Sequence, residues 1–361
     1  MAKLKLTGKR NTLGTYNSGN NFGDYVYGIT IEPNSGKTYV GGYFETFSGS
    51  SQYKLIRLNT DGTKDTSFDI GTGFGQYNMV YSTLVRPDGK IFVGGMFFYY
   101  NETQVPDALI LLNEDGTLNT SFDANQGFNN AVMGMVMNSD GKLYACGAFK
   151  RFYDGSYQYY LVRINDDGTK DTGFAINVSP WTGGFNETSM ILSVDLDSDQ
   201  KVYVGGGFVS YSGVTYVNSV MRFNTDGIPD SSFSTIFSGE TYCLKVDSND
   251  KIYVGGLYSI RSGPSYGFIH RLNSDGSLDT SFSGGTIFDN KVNTITIDQN
   301  GKILLGGEFT TCRGLTHKHI IRLNTDGSID NTFNAYRGFE GSTWTYILSM
   351  TTDSNNKIYV G

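Results

Sequence analysis

Apolar and polar positions alternate along most of this chain in short runs that glycine-rich turns interrupt. In one stretch, Ala131 to Met137 alternates apolar and small residues, and Ser139-Asp140-Gly141 then marks a turn. Lys142 to Phe149 alternates again, Lys150 to Gln158 reads as a loop, and Tyr159 to Asn165 forms a third run. Asp166-Asp167-Gly168 turns the chain towards a short fourth segment near Asp171 to Phe174. A period of two between turn signals predicts strands, and no stretch shows helical periodicity.

The same grammar recurs. A phrase of the form Gly-Lys-Xaa-Tyr-Val-Gly-Gly-Xaa-Phe is written seven times, with its lysines at 37, 90, 142, 201, 251, 302 and 357, 50 to 59 residues apart. A fixed period of this length means that each unit buries its apolar face only by stacking on its neighbours. Four antiparallel strands per unit predict an all-β, seven-bladed β-propeller forming a single domain over residues 1–361. The last copy stops at Tyr359-Val360-Gly361 after two strands, and Leu4-Lys5-Leu6-Thr7-Gly8 resembles the third-strand phrase Ile56-Arg57-Leu58-Asn59. Residues 1–20 are therefore expected to complete the last blade and close the ring; a chain cut short in its seventh repeat is the competing reading. The Gly-Gly pair suits either close backbone approach or a β-bulge.

Charges repeat as well. Arg57, Arg163, Arg222, Arg271 and Arg322 each precede an acid by eight residues, at Asp65, Asp171, Asp230, Asp279 and Asp330. In the second unit both partners change together, to Leu111 and Asn119. Their joint loss predicts a structural ion pair across the turn, which a guanidinium fork suits. The repeated lysines are expected to be solvated. The phrase Asn59-Xaa-Asp61-Gly62 with Asp65 faintly resembles a calcium loop, but Asn and Asp favour such turns by bonding their own backbone. No cofactor is expected beyond weak Ca²⁺ binding at these turns or at Asp195, Asp197 and Asp199.

Composition narrows the classes. A formal charge of -7 opposes a nucleic-acid surface. No apolar run reaches the roughly 20 residues of a membrane helix, so membrane insertion is not expected. The basic start, Met1 to Arg10, lacks an apolar region behind it, and no Sec-type signal is visible. Cys146, Cys243 and Cys312 occupy three different repeat positions and are expected to be free thiols. His317 and His319 would share one strand face, without an evident third metal ligand. No nucleophile elbow, phosphate loop or Cys-His signature is present.

Departures from the repeat are where function is expected. Spacing from the Phe after each acid to the next lysine varies from 18 to 27 residues, and the two longest connections hold Trp181 and Trp344. The face that collects these connections also collects Tyr99, Tyr100, Tyr153, Tyr157, Tyr211, Tyr216 and Tyr266. Flat rings with polar tips suit sugar binding, and they also suit filling the space between blades.

The repeat phrase resembles the bacterial and phage delta-60 β-propeller repeat family. It is fullest at Gly301-Lys302-Ile303, Gly306-Gly307-Glu308-Phe309, Arg322-Leu323-Asn324-Thr325-Asp326-Gly327 and Asp330 to Phe333. Leu111, Asn119, Cys146 and Tyr258 are local departures. The resemblance implies a propeller found in surface, adhesion-like and phage proteins, with no settled activity and no catalytic residues. The first expectation is thus a non-enzymatic binding or structural module, a bacteriophage virion protein that grips a host-surface glycan or another virion protein. The alternatives are a propeller enzyme of lyase or glycosidase type and an intracellular docking scaffold. The enzyme would need paired carboxylates or a His-metal centre at the central mouth, which the sequence does not single out.

Overall fold

Each repeat phrase folds as an antiparallel meander. The structure, a computed structural model, describes residues 22–105, 107–122, 127–150, 160–174, 176, 190–208, 210–211, 214–215, 220–235, 239–258, 265–333 and 346–361. Among them, six sheets pair a first strand with a second and a second with a third, as Val26–Ile31, Thr38–Gly42 and Leu55–Leu58 do in the first sheet. A seventh pairs Met350–Thr352 with Ile358–Val360. The proposed strand complement from residues 1–20 lies outside the described residues.

Stacking supplies the core. Every buried cluster joins one sheet to the next: Tyr39 and Leu55 meet Val80, Ile91 and Val93, and Leu304 and Ile320 meet Ile347, Met350 and Ile358. Another cluster joins Tyr359 of the seventh sheet to Val26, Ile29 and Val40 of the first. The first strands lie side by side in chain order, and Met350–Thr352 also contacts Val26–Ile31.

Both readings of the Gly-Gly pair hold, one for each glycine. A Cβ on the first glycine would strike the first strand of the following sheet, at Val80 from Gly41, Val132 from Gly94 and Ile347 from Gly306. Gly361 occupies the same place and faces Val26. A Cβ on the second glycine would strike the carbonyl of its own first strand, just before a bulge. Large side chains at either position would push the sheets or strands apart.

The fourth strand is shorter than expected. It is reduced to single bridges, such as Leu58 with Lys64 and Ile164 with Lys170. The turn phrase leaves too few residues before the acid, whose side chain is committed elsewhere, to extend a ladder. Conversely, small hairpins absent from the sequence reading lie between second and third strands, such as Thr46–Phe47 with Ser50–Ser51.

The repeated ion pair forms as expected, with Arg N to Asp O distances of 2.6–2.9 Å in five sheets. It does more than close a turn. Arg57 Nη1 also donates to Tyr39 Oη at 3.0 Å and to the Glu114 carbonyl of the next sheet at 2.7 Å. Arg163 makes the same bonds to Tyr144 and Thr225, Arg222 to Tyr203 and Ser274, and Arg271 to Tyr253 and Thr325. The lysines correct the expectation of solvated residues. Lys37, Lys142, Lys201, Lys251 and Lys302 reach the same carboxylates at 2.5–3.0 Å, because the turn ends beside the fourth-strand acid. In the second sheet, which lacks the acid, Lys90 turns to Asp88.

Candidate functional site

A β-bulge at one fixed place in the first strands builds the site. The pairing shifts by one residue at Tyr27, Tyr81, Met133, Leu192, Tyr242 and Asn293. In the seventh sheet the amides of Leu348 and Ser349 both donate to the Gly361 carbonyl, the same irregularity. A bulge re-aims a side chain, and these seven side chains are all half-buried. Because first strands are neighbours, seven re-aimed residues gather at one end of the fold.

Tyrosines cover one side of this end. The rings of Tyr25 and Tyr27 stack at 6.1 Å, Tyr25 and Tyr346 at 6.0 Å, and Tyr27 meets Tyr81 of the next sheet at 5.0 Å. Burial, with smaller contributions from Tyr81 and Asp24, pushes the Tyr27 phenol up to about 12. A hydrogen bond with Tyr25, followed by burial, takes Tyr346 up to about 12 as well. These phenols therefore stay protonated at neutral pH and act as neutral hydrogen-bonding groups with flat apolar faces.

Charged groups cover the other side. Tyr242 Oη donates to Glu240 Oε2 at 2.8 Å. Lys291 Nζ lies 3.0 Å from Glu308 Oε1 and 4.9 Å from the centre of the Tyr242 ring. Burial and the Glu240 hydrogen bond raise the Tyr242 phenol, and Glu308 adds to both Tyr242 and Tyr346. Two carboxylates thus stand in unlike settings, one bonded by a phenol and one paired with an ammonium. The set places two carboxylates, a phenol and an ammonium beside an aromatic platform.

Sequence reasoning missed this cluster. Its signals were the residue after Gly-Gly, where Glu308 stands, and the first-strand residues around the bulge, where Glu240, Tyr242 and Lys291 stand.

The predicted aromatic face fares unevenly. Tyr99 and Tyr266 are 52% and 39% exposed. Tyr100 is corrected: it is buried against Phe74, and its hydroxyl donates to the Gly116 carbonyl, so it fills space in the core. Trp181, Trp344, Tyr153, Tyr157, Tyr216 and the Tyr211 side chain lie outside the described residues. His317 and His319 do not share a strand face. They precede the strand Ile320–Leu323, and His319 adopts a left-handed φ of 68°.

The acidic turns are satisfied internally. Asp61 Oδ1 accepts from the Thr63 amide and hydroxyl at 2.9 and 2.7 Å, and Asp167 does the same with Thr169. Asp195 takes Lys245 and the Val246 amide from the neighbouring sheet. Among the described residues no group of three or more His, Cys, Asp or Glu side chains is placed to hold a metal ion. Cys146, Cys243 and Cys312 are free and buried, as expected.

Solved structures share this fold. Virginiamycin B lyase from Staphylococcus aureus superposes with a TM-score of 0.51 at 14% identity, over 93% of this chain and 94% of that one. A streptogramin B lyase gives 0.51 at 15% identity, over 99% and 97%. The WD40 β-propeller domain of Doa1 gives 0.50 at 14% identity, over 100% and 97%. The expectation of a non-enzymatic chain is corrected by the two lyases: this propeller is one that enzymes adopt, although identities this low extend the likeness to the fold alone. No curated protein matches the chain. The family model described as a domain of unknown function (DUF5122) β-propeller matches residues 34–68, 86–122, 138–174, 198–233, 248–282 and 299–333, so the chain belongs to the DUF5122 β-propeller family.

Proposed function

We propose that this chain is a glycan-acting propeller of lyase or glycosidase type, with its ligand seated where the seven bulges converge. The observation that carries this reading is the series Glu240, Tyr242, Lys291 and Glu308 beside the tyrosine platform. Sugar rings stack on neutral aromatic faces, and cleavage of a glycosidic link or abstraction of a ring proton needs the acid and base that two carboxylates supply. The two lyases that share the fold support only the enzymatic part of this reading. Tyr99 and Tyr266 extend the proposed ligand surface, as do Trp181, Trp344, Tyr153, Tyr157, Tyr211 and Tyr216 from the sequence.

The architecture that would frame the site is a closed ring of seven blades. Its support is the contact of Met350–Thr352 with Val26–Ile31 and of Gly361 with Val26. The narrower delta-60 membership belongs to this proposal as well. Work on the outside of a phage particle or bacterial cell, against a host glycan or a virion protein, is a proposal that rests on composition.

Activity on a panel of bacterial surface polysaccharides tests the reading, read as new reducing or unsaturated ends. Glu240→Gln and Glu308→Gln should each lower the rate by roughly 10²–10⁴-fold, the range of a lost general acid or base. Cleavage by both variants at the wild-type rate would sink the assignment, as would a wild-type protein that cleaves nothing in the panel.

A further inference from the structure

The second sheet leaves open a space that the first sheet fills with its own chain. In several sheets the residue before the third strand is left-handed, with φ of 68° at Lys54, 73° at Ala108, 66° at Tyr160 and 68° at His319. The shared backbone gives these side chains equivalent places. In the first sheet Lys54 is fully buried there; its Nζ donates to the Tyr43 carbonyl at 2.9 Å and meets Glu45 Oε1 at 3.3 Å. In the second sheet the same three positions are Ala108, Met96 and Phe98. The lysine and its acid are both gone, and a cavity of about 110 Å³ stands beside Ala108. That is room for roughly four water-sized groups, as many as a lysine carries beyond its Cβ.

An acid lines the cavity. Asp107 has no acidic counterpart, since the position is Tyr53, Tyr159, Asn218, Gly267 and Lys318 in the other complete repeats. Among the described residues no basic side chain pairs with it. Burial raises the Asp107 carboxyl above its ordinary value, where an ion pair would lower it. Lys150, whose amide donates to Asn129 Oδ1 on the wall at 2.8 Å, is therefore not its partner. A half-buried carboxylate without a partner is a cost to the fold, so its place beside the cavity points to a cation from outside. The way in is apolar. Met96 and Phe98 are 42% and 47% exposed, above a floor that includes the buried Phe97 and Phe128. An aliphatic stem lies well along such a rim while its charged head reaches the acid.

We propose that this cavity, between the second sheet and the entry to the third, is a docking site for a lysine side chain of a partner polypeptide. Its ammonium pairs with Asp107 and its stem lies against Met96 and Phe98. The carboxylate set of the proposed active site stands in the fifth and sixth sheets, so this inference does not depend on activity there.

The test is saturation-transfer NMR and titration of the full chain with Nα-acetyl-lysine N-methylamide. Two further probes accompany it: the norleucine counterpart, which keeps the stem and lacks the ammonium, and glucosamine. The lysine probe should bind. Loss of the ammonium from the probe, or of the charge in Asp107→Asn, should weaken binding by about tenfold or more, as for a lost hydrogen bond between charged groups. Asp107→Asn should melt no lower than the wild-type chain, because it removes an unpaired charge. Ala108→Lys supplies the side chain from within, at the φ that Lys54 adopts in the first sheet. It should raise the melting temperature and abolish probe binding. The proposal is overturned by no binding of the lysine probe to the wild-type chain, by equal binding of the norleucine probe, or by binding unchanged in Asp107→Asn. An Ala108→Lys chain that melts lower and still binds the probe overturns it too. Tighter binding of glucosamine would give the cavity to an amino sugar instead. Wild-type dimers that Asp107→Asn dissociates, read by sedimentation, would assign the lysine to a second copy of this chain and overturn a separate partner.

Discussion

Arg57→Ala is expected to lower the stability of the fold by about 3–5 kcal/mol, read as a fall in the urea midpoint at unchanged slope. The side chains of Arg57 and Asp65 are 2% and 7% exposed, and the guanidinium serves Asp65, Tyr39, Ser67 and the Glu114 carbonyl together. Its removal takes the buried guanidinium from Asp65, leaving the carboxylate to Lys37 and Ser67, strips the donor from Tyr39 and releases the first sheet from the turn of the second. The chain contains its own control. The second sheet replaces the group with Phe92, Leu111 and Asn119, and Asn119 bonds Asn113 Oδ1 at 2.7 Å instead. Copying that solution, Tyr39→Phe with Arg57→Leu and Asp65→Asn, should recover all but about 1–2 kcal/mol, because a pair removed whole leaves no orphan charge. If the triple variant is as unstable as Arg57→Ala, the buried-pair account fails.

The same carboxylates set the acid limit. Burial alone would raise Asp65, Asp230, Asp279 and Asp330, yet their serine or threonine, lysine and arginine partners hold all four well below the ordinary carboxylate range. Asp171 shifts the same way. A depressed folded value gives stability that is complete above the unfolded carboxylate range and is lost as pH falls through the folded one. Unfolding midpoints should therefore begin to fall below about pH 6.5, where the unfolded chain protonates His270 while burial lowers its folded value to about 4, and fall steeply below about 4 as the carboxylates protonate.

How much of this was legible depended on whether the cause was local. The strands, the turns and the stacking of units followed from a period-two pattern recurring at a fixed interval, since such a unit has no other way to bury its face. The Arg–Asp pair was legible because one unit lost both partners at once. The short hairpins were not, since two-residue strands such as Tyr99–Tyr100 and Thr103–Gln104 are too brief to show alternation. The cluster at the bulges was hidden for another reason. Lys291 stands 51 residues from Glu240, and Glu308 a further 17, and only the stacking of the fifth sheet on the sixth brings them together. The bulge itself is one extra residue in a strand whose alternation it interrupts, so the pattern that reveals the strand conceals the residue that it re-aims.

That dependence of the site on the bulge yields the sharpest test of function. Gly256→Ala places a Cβ against the carbonyl oxygen of Glu240, with the Phe268 ring also within 2.8 Å. The first strand must yield, and the residue that moves is the proposed proton-transferring carboxylate next to the bulge at Tyr242. The chain should still fold, at a cost of about 1–3 kcal/mol for overpacking. Turnover at the proposed site should fall by about 10²-fold or more, the penalty of a catalytic group misplaced by about 1 Å. Gly147→Ala inflicts the same steric lesion in the third sheet, against the Ala131 carbonyl. It should cost similar stability and spare turnover, because no member of the carboxylate set stands there. Equal losses of turnover in the two variants would mean that the fold as a whole was disturbed. A loss confined to Gly256→Ala would tie activity to the carboxylate that this glycine holds in place, and would show that the second glycine of the repeated phrase shapes the site as well as the sheet.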